Sequence, residues 1–114
     1  MSKNYSIDLS KYKSDKAKFI VGRENGYNAR ENEHLDKLVT EIQNGKDCKI
    51  EFYINDDIYG VVSSFILGML SEIITKINNK ERVYEIFSFD KLPTEIKEEF
   101  MEEIDYILGN WLWF

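Results

Sequence analysis

The chain has 114 residues, 43% apolar and 14% aromatic, with one Pro and 6 Gly. That composition excludes a disordered polymer and sets the expectation of a single self-folding domain over 1–114. Its one Cys and one His, Cys48 and His34, exclude an intrachain disulfide and a Cys/His zinc site, so no metal or cofactor is expected. The net charge of −6 is unevenly spread: residues 1–30 hold seven Lys/Arg against three Asp/Glu, and the remainder eight against eighteen. Such an acidic body argues against direct nucleic-acid binding, which needs a basic face to neutralise phosphates.

In chain order, Tyr5, Ile7 and Leu9 alternate with Ser6 and Asp8, the period-two pattern of a half-buried strand. A polar run from Ser10 to Lys18 then turns the chain into a second short strand, Phe19-Ile20-Val21, expected to lie beside the first. Gly22-Arg23-Glu24-Asn25-Gly26 reads as a Gly-bounded loop opening a helix. The helix itself is marked by Leu35, Leu38, Val39 and Ile42 at i, i+3, i+4 and i+7, with Asn44-Gly45 as its stop.

Cys48, Ile50, Phe52 and Ile54 alternate with Lys49, Glu51 and Tyr53, a clear strand. Asn55-Asp56-Asp57 ends it. The most apolar stretch of the chain follows, Ile58 to Leu70, continuing into a helix whose stripe is Ile66, Leu70, Ile73, Ile74 and Ile77 and which Asn78-Asn79 stops. Val83 to Phe89, with two Phe, a Tyr, a Val and an Ile, is expected to be a strand. Thr94 is the expected N-cap of a last helix striped by Ile96, Phe100, Ile104, Ile107 and Leu108. The order β-β-α-β-α-β-α predicts an α/β fold, one mixed β-sheet of about four strands with helices packed on it. No internal repeat is visible.

Several features carry functional possibilities beside structural ones. Ser63-Ser64 stands where a loop becomes a helix; a hydroxyl there can cap the helix, or the pair can receive a phosphoryl group at the positive end of the helix dipole. Phosphorylation would put a charge of about −1.5 to −2 beside the apolar side chains of Ile58, Tyr59, Val61, Val62 and Phe65 and so control a docking surface. Gly22, Arg23 and Gly26 are candidates for binding an anion, although the segment lacks the phosphate-loop patterns; the structural alternative is a βα turn. The last helix presents Glu98, Glu99, Glu102 and Glu103, either a solvated face or an acidic interface. His34 is expected to face solvent and Cys48 to be an inert thiol in a strand. Trp111-Leu112-Trp113-Phe114, in the tail 109–114, is costly to leave in water and should pack on the domain or at an interface, Trp111, Trp113 and Phe114 being candidates for a homo-oligomer contact.

The element order, with Ser63-Ser64 opening the helix after an apolar loop, resembles the STAS domain of anti-sigma-factor antagonists. In that family the loop reads Asp-Ser-Ser-Gly, and the second serine is a phosphorylation site, which would correspond to Ser64. Here Val62 and Phe65 replace the outer two residues. Phe19-Ile20-Val21-Gly22-Arg23-Glu24-Asn25-Gly26 together with Ser63-Ser64-Phe65 is more similar to the bacterial and phage STAS-like proteins of unassigned function, over about residues 18–75. The resemblance implies a non-enzymatic regulatory module that binds a protein partner through Tyr59, Val62, Ser63, Ser64 and Phe65. The alternatives are a phage-type inhibitor of a host defence or regulatory protein acting through the acidic helix, and a small phosphate-ligand domain at Gly22–Gly26. The start Met1-Ser2-Lys3-Asn4-Tyr5 lacks the apolar core of a signal peptide and no apolar run nears the ~20 residues of a membrane span, so a cytoplasmic, non-membrane protein is expected.

Overall fold

The computed structural model describes residues 3–13 and 18–109. The aromatic residues Trp111, Trp113 and Phe114 lie outside the described residues, and so does any oligomer contact through them. Strand β1 (Lys3–Asp8) runs through a 3-10 turn (Leu9–Tyr12) toward β2 (Phe19–Ile20). Helices α1 (Arg23–Asn32) and α2 (Leu35–Gln43) follow, then β3 (Cys48–Tyr53) and β4 (Gly60–Val61). The chain continues as α3 (Ser63–Ile77), α4 (Lys80–Ile86), β5 (Phe87–Ser88) and α5 (Thr94–Ile107). The fold is α/β. Among the described residues all three strand pairs are parallel, and they form a three-stranded sheet in the order β1-β3-β5 and a separate two-stranded sheet, β2-β4.

This arrangement replaces the expected single mixed sheet. The two opening strands are not neighbours: β1 pairs with β3 and β2 with β4. A long strand, a short strand and two helices therefore occur twice, at β1-β2-α1-α2 and β3-β4-α3-α4. Each long strand, short strand and first helix lies beside its counterpart: β1 by β3, β2 by β4 and α1 by α3. β5 and α5 begin a third unit, β5 continuing the larger sheet and α5 packing against α3. The short strands of the two units, Phe19-Ile20 and Gly60-Val61, share the burial of Ile20 and Val61 rather than their residues.

The expected strand from Val83 to Phe89 is also corrected. Its first part is helical: Asn79 accepts a hydrogen bond from Arg82 N–H at 2.9 Å and caps α4, and only Phe87 and Ser88 join the sheet. Val83 and Ile86, three residues apart, are both buried, which suits one helical face as well as it suits a strand. Pro93, not Thr94, is the N-cap of α5. The stops at Asn44-Gly45 and Asn78 are found where expected, Asn78 in the left-handed conformation (φ 49°).

Two packing features position everything else. Phe52 of β3 stacks against Phe87 at 5.8 Å, Phe89 at 5.8 Å and Phe100 of α5 at 5.9 Å between ring centroids, so burial of aromatic area ties the larger sheet to the last helix. α1 and α3 cross at Gly26 and Gly68. A Cβ on Gly26 would fall on the Phe65 carbonyl oxygen and within 2.7 Å of Met69 N, and one on Gly68 would fall on the Arg23 carbonyl oxygen. Only glycine lets the two backbones touch.

Polar clamps hold the periphery. Arg30 of α1 makes a two-pronged bond to Asp36 of α2, both contacts at 2.9 Å, and a third to Glu72 of α3 at 2.6 Å, the fork geometry that guanidinium provides. Glu33, buried at the end of α1, accepts from the Tyr12 hydroxyl and pairs with Lys11 at 2.7 Å. Burial and this bond raise the Tyr12 hydroxyl pKa well above its ordinary value.

Candidate functional site

β2 and β4 are two residues each, and their pairing decides which side chains reach solvent. Phe19 lies opposite Gly60 and Ile20 opposite Val61. Side chains alternate across a strand, so Ile20 and Val61 turn inward, where they are buried, and Phe19 turns outward with Val21 and Val62 on the flanks. Phe19 and Val21 are each 46% exposed, Val62 39% and Tyr59, just before β4, 66%. The Phe19 ring lies on Gly60, where a Cβ would come within 3.0 Å of it, and meets the Tyr59 ring edge-on at 6.3 Å. The glycine is the seat of the aromatic pair.

Backbone bonds fix the two chains at this ridge. Tyr59 N–H donates to the Lys18 carbonyl at 2.6 Å and Val62 N–H to the Ile20 carbonyl at 2.9 Å. The Lys18 ammonium stands 6.0 Å from the Tyr59 ring centroid, at the outer limit of a cation–π contact. Between the ridge and the first turns of α5 is a cavity of about 380 Å³ walled by Phe19, Tyr59, Val62, Ser63, Glu95 and Glu99. A second, of about 450 Å³, lies beside it against Ile58, Tyr59, Pro93 and Glu95.

The expected site residues divide. Tyr59 and Val62 are on the exposed ridge, and Ser63 lines the first of these cavities together with Glu95 and Glu99. Ser64 points elsewhere: half-buried, its Oγ accepts from Gly22 N–H at 3.2 Å and ties the start of α3 to the start of α1. Neither serine caps α3, whose N-cap is Val62 without a side-chain bond. Phe65, expected on the contact surface, is fully buried against Tyr12, ring centroids 6.1 Å apart, because the first inward position of α3 faces the core. Ile58 and Val61 are buried as well.

The anion site expected at Gly22, Arg23 and Gly26 is not formed as a loop. Gly26 is buried inside α1 beneath α3, and its N–H donates to the Gly22 carbonyl at 3.0 Å. Gly22 N–H is already taken by Ser64. Arg23 is exposed, its backbone against Gly68. His34 is exposed and forms the left-handed joint between α1 and α2 (φ 55°), and Cys48 is half-buried at the start of β3. No group of three or more His, Cys, Asp or Glu that could hold a metal ion occurs among the described residues.

On α5, Glu98 and Glu102 are exposed while Glu99 and Glu103 are half-buried. Partial burial, followed by the facing Glu99 and by Glu102, raises the Glu103 carboxyl above its ordinary pKa. Among the described residues neither Glu95 nor Glu99 has a salt bridge, whereas Lys97 on the same helix is paired with Asp90 at 2.9 Å. Phe19 and Val21 are the ridge residues that sequence reasoning missed. Their alternation with Ile20 was the available signal, but it does not say which face is covered. No helix among the described residues is long and apolar enough to cross a membrane.

Compared with known proteins, the chain matches no family model, no curated protein and no solved structure. Its function has to come from its own geometry.

Proposed function

We propose that this chain is a non-catalytic, STAS-like regulatory module that docks a protein partner on the ridge of Phe19, Val21, Tyr59 and Val62, with Ser63 at its edge. One observation carries this. Parallel strands are normally covered on both faces, yet the outer face of the β2-β4 pair is apolar, aromatic at its centre and open to solvent. Contiguous exposed apolar surface on a folded domain marks an interaction site. The likeness to STAS-like proteins at Ser63-Ser64 supports a regulatory role, and Ser63, beside the ridge, is the hydroxyl whose modification would place charge against a docked partner. Phosphorylation of Ser64 would first have to open its bond to Gly22.

The test is capture from the native host by the tagged wild-type chain, by Val62→Asp and by Tyr59→Ser, with Tyr53→Ser on the larger sheet as control. Docking on the ridge predicts one partner retained by wild type and by the control and lost from both ridge variants, all four having matching thermal unfolding. Equal capture by Val62→Asp would refute it.

A further inference from the structure

The repeat points to what the ridge receives. In each complete unit the connection from long strand to first helix contains the short strand: residues 9–22 hold β2 and residues 54–62 hold β4, 14 and 9 residues. In the third unit that connection is residues 89–93, five residues between β5 and α5, too few to lay down a strand and re-enter a helix. Among the described residues the larger sheet thus has three strands and the smaller one two. The place where a third would lie is the side of β4 away from β2, facing the start of α5.

That place holds a cavity rather than a strand, between β4 and the α5 that packs against it, and the buried Val61 at its floor has polar backbone groups to offer. In a parallel ladder successive residues turn N–H and C=O to opposite edges. With Val62 N–H bonded to Ile20, Val61 turns its backbone to the free edge. Both cavities beside the ridge lie there, walled on one side by Tyr59 and on the other by Glu95. Glu95 in the first turn of α5 suits the helix dipole, but Glu99, a turn further on, gains nothing from it. Two carboxylates with no salt bridge among the described residues, opposite an aromatic ring whose centroid is 6.0 Å from the Lys18 ammonium, complement a cation.

We infer that β4 accepts a third, parallel strand in trans: a short extended segment of a partner protein carrying a Lys or Arg that enters the cavity between Tyr59 and the Glu95 and Glu99 carboxylates. Main-chain bonds to Val61 give the segment its direction, the ridge covers its apolar side chains, and the acidic wall selects the basic one. This rests on the ridge being the docking surface and adds the conformation and charge of what docks.

The experiment selects binders to the full chain from a random 12-residue peptide library and measures the best peptide by fluorescence anisotropy. Strand addition predicts a Lys or Arg among apolar residues in the selected peptides. It also predicts that N-methylation of the peptide backbone abolishes binding only at the residue that follows the one opposite Val61, whose N–H the Val61 carbonyl accepts, and is tolerated at the opposite residue itself. Glu95→Gln combined with Glu99→Gln should weaken binding about tenfold at low salt. Peptides that lose binding to Val62→Asp but tolerate N-methylation everywhere, or show no preference for Lys or Arg, overturn the strand and leave ridge docking standing. No selected binder, or binders indifferent to Val62→Asp, overturns both. Sedimentation of the chain alone covers the other occupants: a dimer that Val62→Asp dissolves, or peptide binding gained only in Trp111→Ser/Trp113→Ser, assigns the edge to the chain itself and overturns the inference.

Discussion

Replacing Gly68 by Ala tests the helix crossing on which the site is built, because two effects of opposite sign compete there. In an open helix, Gly→Ala adds about 1 kcal/mol of stability, the difference in helix propensity. At Gly68 the new methyl would fall on the Arg23 carbonyl oxygen, with Arg23 Cα at 3.1 Å. These are backbone atoms of α1, which no rotamer change can move, so the helices must part. Overpacking costs typically about 1–3 kcal/mol, and a clash with main chain belongs at the upper end. The net expectation is a loss of about 2 kcal/mol, or roughly 8 °C in Tm for a chain of this size.

Urea unfolding followed by circular dichroism measures it, with Asn28→Ala on the exposed side of α1 as the propensity control, expected to be neutral or slightly stabilising. Gly26→Ala should behave like Gly68→Ala, since its methyl would meet Phe65 O and Met69 N. The double variant should lose less than the sum, because helices already parted by one methyl leave room for the second. A Gly68→Ala chain as stable as wild type, or more so, would refute the close crossing.

Two further expectations concern single polar groups. The Tyr84 hydroxyl is buried with no hydrogen-bond partner among the described residues, so Tyr84→Phe should raise stability by about 1 kcal/mol; a loss in urea unfolding would mean that the hydroxyl is bonded in solution. Glu103, whose folded pKa is raised by burial and by Glu99, is penalised in its charged form, and Glu103→Gln should stabilise the chain at pH 7 by about 0.2–0.5 kcal/mol. Because the folded state holds this proton more tightly than the unfolded state, the penalty on wild type fades as pH falls through the raised pKa. The difference between the two proteins should therefore vanish by the ordinary carboxylate range, and a gain that persists in acid would contradict the assigned cause.

What the sequence made legible was local. The period-two run at β3, the stripes of α2, α3 and α5 and the Asn stops at Asn44 and Asn78 each depend on neighbours within one or two turns. The α/β class follows from their order. What escaped it was pairing. That β1 skips β2 to join β3 depends on contacts 45 residues apart, as between Tyr5 and Ile50, and no pattern within either strand records them. Gly26 resembled a loop glycine because its reason is Gly68 and Phe65, some forty residues on. Val83 and Ile86, buried together in a run rich in β-formers, fit helix and strand alike until Asn79 is seen to cap. At the site, Tyr59 and Val62 were found as apolar residues near a hydroxyl pair. Phe65, equally apolar, sits at the next inward position of α3, and only the helix direction separates it from the surface.

The exposure of the ridge and the brevity of the third unit are one structural fact. Had the 89–93 connection been as long as 54–62, a third short strand could have occupied the far edge of β4 and stood between the ridge and α5. The smaller sheet would then end on a different strand, and Glu95 and Glu99 would face that strand rather than Tyr59. Shortening the connection instead seats Phe89 among the rings of Phe52 and Phe100 and brings α5 down beside β4. The short connection that compacts the core is thus what leaves the edge without a strand: Phe89 gains aromatic packing inside the domain, while Val61 turns backbone groups to a side where the described residues supply no strand. An edge left open in this way usually invites promiscuous pairing. Here it is only two residues long and flanked by carboxylates, so segments without a complementary cation are disfavoured, and the same two features that restrain aggregation would set the selectivity of docking.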